Sequence, residues 1–516
     1  MQYRLGIDVG GTNTDAVLID NNMKVIAEIK LPTSEDIYSG ILDSIKTILE
    51  LSGVDRDKIK QAMLGTTQCT NSIVERKNLA KTGVLRIGAP ASCDIKPMID
   101  WAEDLSALVL DAKIIGGGFE HDGKEIAELD EVAARDFFTG LKGRVDSVAI
   151  SCVFSAVRND HELRVAEICR EIMGDDVHIS ISGEIGSMGL IERENATILN
   201  AMLHKVAKRI TAGFAQSLKD FGVNNAEIYL SQNDGTLMTM EYAQRYPVLT
   251  IACGPTNSIR GASYLSNLTD AIVIDVGGTT TDIGMLQKGF PRESSIAVTI
   301  GGVRTNFRMP DIVSIGLGGG SIIREKDGKV TVGPDSVGYK ITEKALVFGG
   351  DILTATDIAV RLGMANIGDK EKVAHIDESF AKKALMAIRE KAEDTIDAIK
   401  VSGDDVDVIL VGGGSVILPL DLSGTKSVTL PEYFGTANAI GSAIAKVSGT
   451  YEQLVSFDET PREQALEIAK KEAIELAVKA GAHPDKIEII DVEDTPLAYY
   501  AGNTSRVKVK AAGALA

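Results

Sequence analysis

Asp8-Val9-Gly10-Gly11-Thr12-Asn13-Thr14-Asp15 recurs as Asp275-Val276-Gly277-Gly278-Thr279-Thr280-Thr281-Asp282, with seven of the eight residues unchanged. Each copy follows an apolar, β-rich run (Tyr3 to Ile7; Ala271 to Ile274) and leads into another (Ala16 to Ile19; Ile283 to Leu286). Strand, Gly-Gly turn, strand is the pattern of a β-hairpin, written here twice. A glycine turn carries no Cβ to screen its backbone, so consecutive N–H groups form a nest for an anion. An aspartate at the entrance of the turn suits a cation, and threonine hydroxyls suit phosphate oxygens. Two such loops facing each other across a cleft would grip a nucleoside triphosphate and its Mg²⁺ from both sides. The repeat therefore predicts an ATP site. Asp8 and Asp275 are its candidate metal ligands and catalytic carboxylates. Gly10, Gly11, Thr12 and Thr14 in one loop, and Gly277, Gly278, Thr279 and Thr281 in the other, are its candidate phosphate contacts. Asp15 and Asp282 are expected to brace the hairpins or to orient the groups that hold the ion.

A chain of 516 residues is too long for one ordinary core, so two major α/β domains are expected, the second starting shortly before Asp275. A composition of 44% apolar and 25% charged residues is that of a globular protein rather than a disordered one. The net charge of −19 argues against a nucleic-acid face or an anionic membrane surface. It leaves ATP open, because backbone nests and a bound cation set the field inside a small cleft. No apolar run reaches the length of a membrane span. The first strand begins at Tyr3, which predicts no signal peptide. Cys69, Cys93, Cys152, Cys169 and Cys253 are scattered and odd in number, as expected of reduced thiols in the cytoplasm.

Strands and helices alternate along the chain, which implies a mostly parallel sheet. Helices are predicted at about Ile37 to Leu51, Asn71 to Arg76, Asp160 to Met173, Glu192 to Phe221, Glu378 to Ile399, Asn438 to Lys446 and Pro461 to Ala480. Strands are predicted at Ala62 to Gly65, Val145 to Phe154, Val177 to Ser180, Ile228 to Leu230 and Val406 to Val411. Two short ones, Ile487 to Val492 and Val507 to Ala511, form the tail. Acidic runs such as Glu35-Asp36 and Glu103-Asp104 read as solvated faces. The six histidines are widely spaced and suggest no metal site.

Gly412-Gly413-Gly414-Ser415 directly follows the apolar strand at Val411 and would let backbone approach a purine or ribose. No Gly-Lys-Ser/Thr occurs, so a P-loop is excluded. Phosphate loop, second phosphate loop and late glycine-rich adenosine loop, in that order, resemble the superfamily of actin, heat-shock chaperone and sugar-kinase ATPases. Within it the chain resembles the hydantoinase/oxoprolinase family. Gly65-Thr66-Thr67 with Thr70-Asn71 and Glu75-Arg76-Lys77 is similar to the family's Gly-Thr-Thr, Thr-Asn and Glu-Arg stretch. Glu192-Arg193 with Thr197 and Leu199-Asn200-Ala201, Gln232 through Gly235, and Gly254-Pro255 with Ser258 and Gly261-Ala262 also match. So do Gly318-Gly319-Gly320-Ser321, Gly333-Pro334 with Ser336, and Thr354 through Asp357.

The resemblance implies duplicated actin-like (ribonuclease H-like) ATPase domains flanking a cleft, with a small α/β tail: residues 1–190, 191–450 and 451–516. It also implies ATP-dependent ring opening of a cyclic amide such as a hydantoin or a 5-oxoproline-like lactam, with Mg²⁺, a separate hydantoinase B-type or other hydrolase subunit, and an oligomeric assembly. A small-metabolite kinase with Asp275 as base, or an ATP-driven reactivase, would use the same cleft. Three departures stand out. Leu64 occupies the place of a family histidine, Tyr339 to Phe348 replaces a Pro-Gly-Pro-x-Cys-Tyr stretch, and the C-terminal domain of longer relatives is reduced to residues 451–516.

Overall fold

The computed structural model describes residues 2–33, 37–186, 188–294, 298–307, 309–497 and 503–515; Glu35 and Asp36 lie outside them. The octapeptide repeat is a repeat of strand pairing. Tyr3–Val9 pairs antiparallel with Asn13–Asp20, Asp8 opposite Asp15. Ala271–Val276 pairs the same way with Thr281–Gln287, Asp275 opposite Asp282. Each leading strand also takes a parallel neighbour, Ile59–Thr66 for the first and Val406–Val411 for the second. Ile7, Val17, Ile19, Ile272, Ile274 and Ile283 are fully buried, so these are β-branched strands covered on both faces.

Around the first hairpin grows a nine-stranded sheet. In spatial order it runs Ala482–Pro496, Thr504–Leu515, Val447–Ser456, Leu237–Thr239, Glu227–Ser231, Ile59–Thr66, Tyr3–Val9, Asn13–Asp20 and Val25–Pro32. Around the second hairpin lies a six-stranded sheet that adds Phe290–Pro291, Ile312–Ile315, Val406–Val411 and Thr425–Thr429. A separate four-stranded parallel sheet holds Val109–Gly116, Thr82–Ala89, Ser147–Cys152 and His178–Ile181. The sheets thus do not follow cuts at 190 and 450, because segments 227–239 and 447–515 join the N-terminal sheet.

The C-terminal segment also differs from the two short strands expected. Ala482–Pro496 and Thr504–Leu515 are 15 and 12 residues long and continue the main sheet. Their buried face, including Val507, Val509 and Ala511, packs on Ala469, Ala473 and Ala477 of the helix Arg462–Lys479. The helix itself matches the one predicted at Pro461 to Ala480, but an alanine stripe carries little apolar contrast, which hides the extent of the sheet it covers.

Helices Ile37–Ser52 and Leu190–Asp220 cover one face of the first sheet through Ile41, Ile45, Ile48, Phe214 and Leu218. Ala439, Ile440 and Ala443 of Ala437–Ile444 cover Val17 and Ile19 on the other face. Glu378–Ile399 and Ala355–Arg361 cover one side of the second sheet, and Cys253–Ser266 covers the other through Ile259 and Ala262. Helices Cys253–Ser266 and Ala437–Ile444 therefore lie together between the two sheets. They touch backbone to backbone: a Cβ on Gly261 would lie 1.9 Å from the Ala437 carbonyl oxygen, and one on Gly441 would lie 1.9 Å from that of Asn257. Only glycine fits such a crossing. Among the described residues no helix is long and apolar enough to cross a membrane.

Candidate functional site

The two hairpin turns are built alike. Gly10 N–H donates to the Asn13 carbonyl at 3.0 Å, and Gly277 N–H donates to the Thr280 carbonyl at 2.9 Å. Both turns open into one cavity of about 660 Å³ between the sheets, a volume suited to a small ligand. Asp8, Gly10, Gly11 and Thr12 line it from one side, and Asp275, Gly277, Gly278 and Thr279 line it from the other. Gly412, Gly413 and Gly414 complete the wall beside the second hairpin. A Cβ on Gly414 would lie 2.4 Å from the Gly277 carbonyl oxygen, so this loop must be glycine to pack against the turn.

Two expected contacts are placed elsewhere. Thr14 and Thr281 are fully buried and do not line the cavity. Thr281 donates to the Leu317 carbonyl at 2.7 Å, and Thr14 shares a hydrogen bond with Thr33. Both occupy strand positions beyond the turn, where alternation points the side chain into the sheet packing. The Gly10 and Gly277 N–H groups are likewise spent in closing their own turns.

Glycine also keeps the carboxylates accessible. A Cβ on Gly65 would lie 2.0 Å from Asp8 Oδ1, and one on Gly412 would lie 2.2 Å from Asp275 Oδ1. Asp8 accepts from Asn257 Nδ2 and Asn438 Nδ2, each at 3.0 Å. Asp275 accepts from Ser258 Oγ at 2.5 Å. Asp15 accepts from Lys30 Nζ at 2.7 and 2.8 Å and from Asn438 at 2.8 Å, and Asp282 accepts from the Ser314 hydroxyl. Asp15 and Asp282 thus tie the second strand of each hairpin to its neighbour, and Asn438 links Asp15 to Asp8.

Burial pushes the Asp8 carboxyl up to about 6, opposed by the Asn257 hydrogen bond and helped by the charge of Asp15. Burial also pushes Asp275 up to about 6, opposed by Ser258 and helped by the charges of Asp282 and Asp8. Lys30 is the single cationic side chain among the described residues lining the cavity, against Asp8, Asp15, Asp275 and Asp282. Its ammonium is held by Asp15 and by the Gly435 carbonyl at 2.9 Å. Four carboxyls, two buried (Asp8, Asp15) and two half-buried (Asp275, Asp282), with one lysine form a donor set of hard oxygen atoms, short of positive charge, that suits Mg²⁺.

Thr67, Gly254, Pro255, Ser258, Gly319 and Thr356 also line the cavity, so several of the resemblance segments converge on it. Others do not. Arg193 is buried behind the four-stranded sheet, donating to the Cys152 carbonyl at 2.7 Å. Asp234 anchors the C-terminal strands by accepting from Ser448 Oγ and Lys510 Nζ, each at 3.0 Å. Leu64 points into the core of the first sheet. Lys30, Asn257 and Asn438 escaped the sequence reading as site residues. Their one signal was polar residues in small-residue helices and a lysine at a strand end.

Two family models match the chain: the hydantoinase/oxoprolinase N-terminal region over residues 4–173, and hydantoinase/oxoprolinase over residues 193–366. The chain belongs to the hydantoinase/oxoprolinase family. The matched regions contain both hairpins and the helix bearing Asn257 and Ser258; the Gly412 loop and Asn438 lie beyond them. Caprolactamase subunit alpha of Pseudomonas jessenii is 27% identical over 485 residues, covering 88% of this chain and 67% of the relative. Acetone carboxylase beta subunit of Xanthobacter autotrophicus is 23% identical over 427 residues, covering 76% of this chain and 57% of the relative. The chain thus spans roughly six tenths of the length of these family relatives. The crystal structure of the ATP-dependent caprolactamase from Pseudomonas jessenii superimposes with a TM-score of 0.80 at 21% identity, covering 100% of this chain and 88% of that one. This likeness shows that the mixed α/β fold is shared.

Proposed function

We propose that the cavity binds ATP and Mg²⁺ and that this chain is the ATP-using component of a cyclic amide hydrolase. One observation carries the proposal: equivalent aspartates of two copies of one hairpin line a single cavity from opposite sheets. The similarity to caprolactamase subunit alpha supports a lactam as the ring opened. In this reading the two hairpin sheets form a duplicated actin-like ATPase pair; the proposed division at 190 and 450 is crossed by segments 227–239 and 447–515, which are both stitched into the first sheet.

Asp8 and Asp275 would hold Mg²⁺, which when bound neutralises phosphate charge. The tip N–H groups of Gly11, Thr12, Gly278 and Thr279 would take phosphate oxygens, with Thr12 and Thr279 adding hydroxyls. The bare backbone of Gly412 to Gly414 would admit the adenosine.

Amide resonance makes an unstrained lactam a weak electrophile with a poor leaving group. Transfer of the γ-phosphoryl to the carbonyl oxygen breaks its bond to the β-phosphate, forms a new P–O bond and releases ADP. Water then adds to the activated carbon, the ring nitrogen leaves as an amine, and a second water frees phosphate from the acyl phosphate. The residues named here act by positioning and charge neutralisation. Hydrolysis is assigned to a separate subunit, consistent with the subunit designation of the caprolactamase relative, in an oligomer in the cytoplasm.

The acetone carboxylase relative favours a second reading, in which the same ATP chemistry activates a ketone carbonyl for carboxylation. Purified protein with Mg-ATP, a panel of lactams and hydantoins, and acetone with bicarbonate separates the two. Lactam-stimulated ADP release with a ring-opened product is expected once the partner subunit is present. A stable phosphorylated metabolite would instead establish a kinase, and ADP release only with ketone and bicarbonate would establish the carboxylase.

A further inference from the structure

Asn257 and Ser258 are consecutive on the helix Cys253–Ser266, and each donates to a different cavity aspartate. Asn257 Nδ2 reaches Asp8 Oδ1 at 3.0 Å, and Ser258 Oγ reaches Asp275 Oδ2 at 2.5 Å. The aspartates belong to separate sheets, so no strand pairing fixes one relative to the other. Neighbouring residues on a helix project about 100° apart with a rise of about 1.5 Å. One rigid backbone segment therefore ties the two carboxylates to each other, while Asn438 of the crossing helix holds the second oxygen of Asp8. The helix is itself locked, since the Asn257 carbonyl lies against Gly441 of the crossing helix.

Both side chains are buried, at 0% and 2% exposure, and Asn257 Oδ1 has no hydrogen-bond partner among the described residues. An asparagine retained with an unsatisfied buried oxygen is costly for folding alone. Its amide is oriented by the one bond it makes, to Asp8. Charge neutralisation does not explain either residue, because both are neutral donors.

We propose that Asn257 and Ser258 are positioning residues for the divalent cation, a single helix acting as the spacer that presents the Asp8 and Asp275 carboxylates to one ion. This rests on the ATP and Mg²⁺ reading above. The test is the thermal midpoint of the full chain with ATP held constant and Mg²⁺ titrated, for the wild type, Asn257→Ala, Ser258→Ala and Ser258→Thr. Both alanine variants are expected to need about tenfold or more Mg²⁺ for the half-maximal shift, the usual effect of losing a partner that orients a metal ligand. Their metal-free midpoints in EDTA are expected to report a folded protein, and Ser258→Thr, which keeps the hydroxyl, to stay near the wild type. A wild-type Mg²⁺ dependence in either alanine variant would overturn the inference while leaving the ATP site standing. No Mg²⁺-dependent shift in the wild type itself would overturn the ATP reading, and this inference with it.

Discussion

The tips of the two hairpins touch: a Cβ on Gly278 would lie 3.0 Å from Thr12 Cγ2. Two turns written 267 residues apart, in different sheets, thus meet at one edge of the cavity that they line from its two sides. Thr12 both makes that contact and lines the cavity. Thr12→Ala is expected to weaken Mg-ATP binding about tenfold, the worth of one hydrogen bond to a charged group. Calorimetric titration checks this; unchanged affinity would remove Thr12 from the phosphate contacts.

Gly65 and Gly412 play matching parts beside Asp8 and Asp275. A methyl at either position would meet the carboxylate oxygen at 2.0 or 2.2 Å, and Gly412 also has φ of +86°, which penalises any side chain. Gly65→Ala and Gly412→Ala are expected to lower ATP turnover by about a hundredfold, the scale of an ångström-sized misplacement. Turnover within a fewfold of the wild type would contradict this placement of the carboxylates.

Much of the layout was legible in the sequence. Strands at the repeated octapeptides, the helices Asp160–Met173 and Glu378–Ile399, and the strand Val406–Val411 all follow from periodicity. Their apolar spacing is strong, and their boundaries are marked by glycine or a capping residue. The sequence predicts two short strands for the C-terminal sheet extension, because the fully buried positions of its covering helix are alanines, with Leu466 and Ile474 only partly buried against it. The long chain crossings that add segments 227–239 and 447–515 to the first sheet leave no local trace. For the site, glycine and aspartate positions were readable because turn chemistry is local. Asn257, Asn438 and Lys30 were not, because their roles arise only when two helices and a strand end meet.

The buried aspartates make stability depend on pH. Both pKa values are raised from 3.8 to about 6, so the native state favours their protonated forms. That contribution is complete below the unfolded value near 4 and is lost as pH rises through 6. At pH 7.5, without metal, each ionised carboxylate costs up to about 3 kcal/mol. Asp275→Asn is therefore expected to melt above the wild type at pH 7.5 without metal, with the gap closing by pH 4. Adding Mg-ATP is expected to reverse the order. Melting curves at the two pH values, in EDTA and in Mg-ATP, decide it; a variant that melts below the wild type in EDTA at pH 7.5 refutes the desolvation argument.

Arg86 and Glu194 form a fully buried bidentate pair at 2.7 and 2.5 Å, and Ser151 also donates to Glu194. Removing one partner strands the other charge inside the protein. Arg86→Ala is expected to cost about 3–5 kcal/mol in chemical denaturation. Because the pair lies off the cavity, the Mg-ATP-induced gain in midpoint is expected to survive in whatever fraction stays folded. Loss of that gain in the folded fraction would show that the four-stranded sheet contributes to nucleotide binding.

The most direct measurement is calorimetric titration of ATP into the wild type, Asp8→Asn and Asp275→Asn, each with Mg²⁺ and with EDTA. One ATP per chain is expected to bind the wild type in a Mg²⁺-dependent manner, with that dependence lost in both variants. Mg²⁺-dependent binding of wild-type strength in either variant would contradict a shared ion held by the two hairpins.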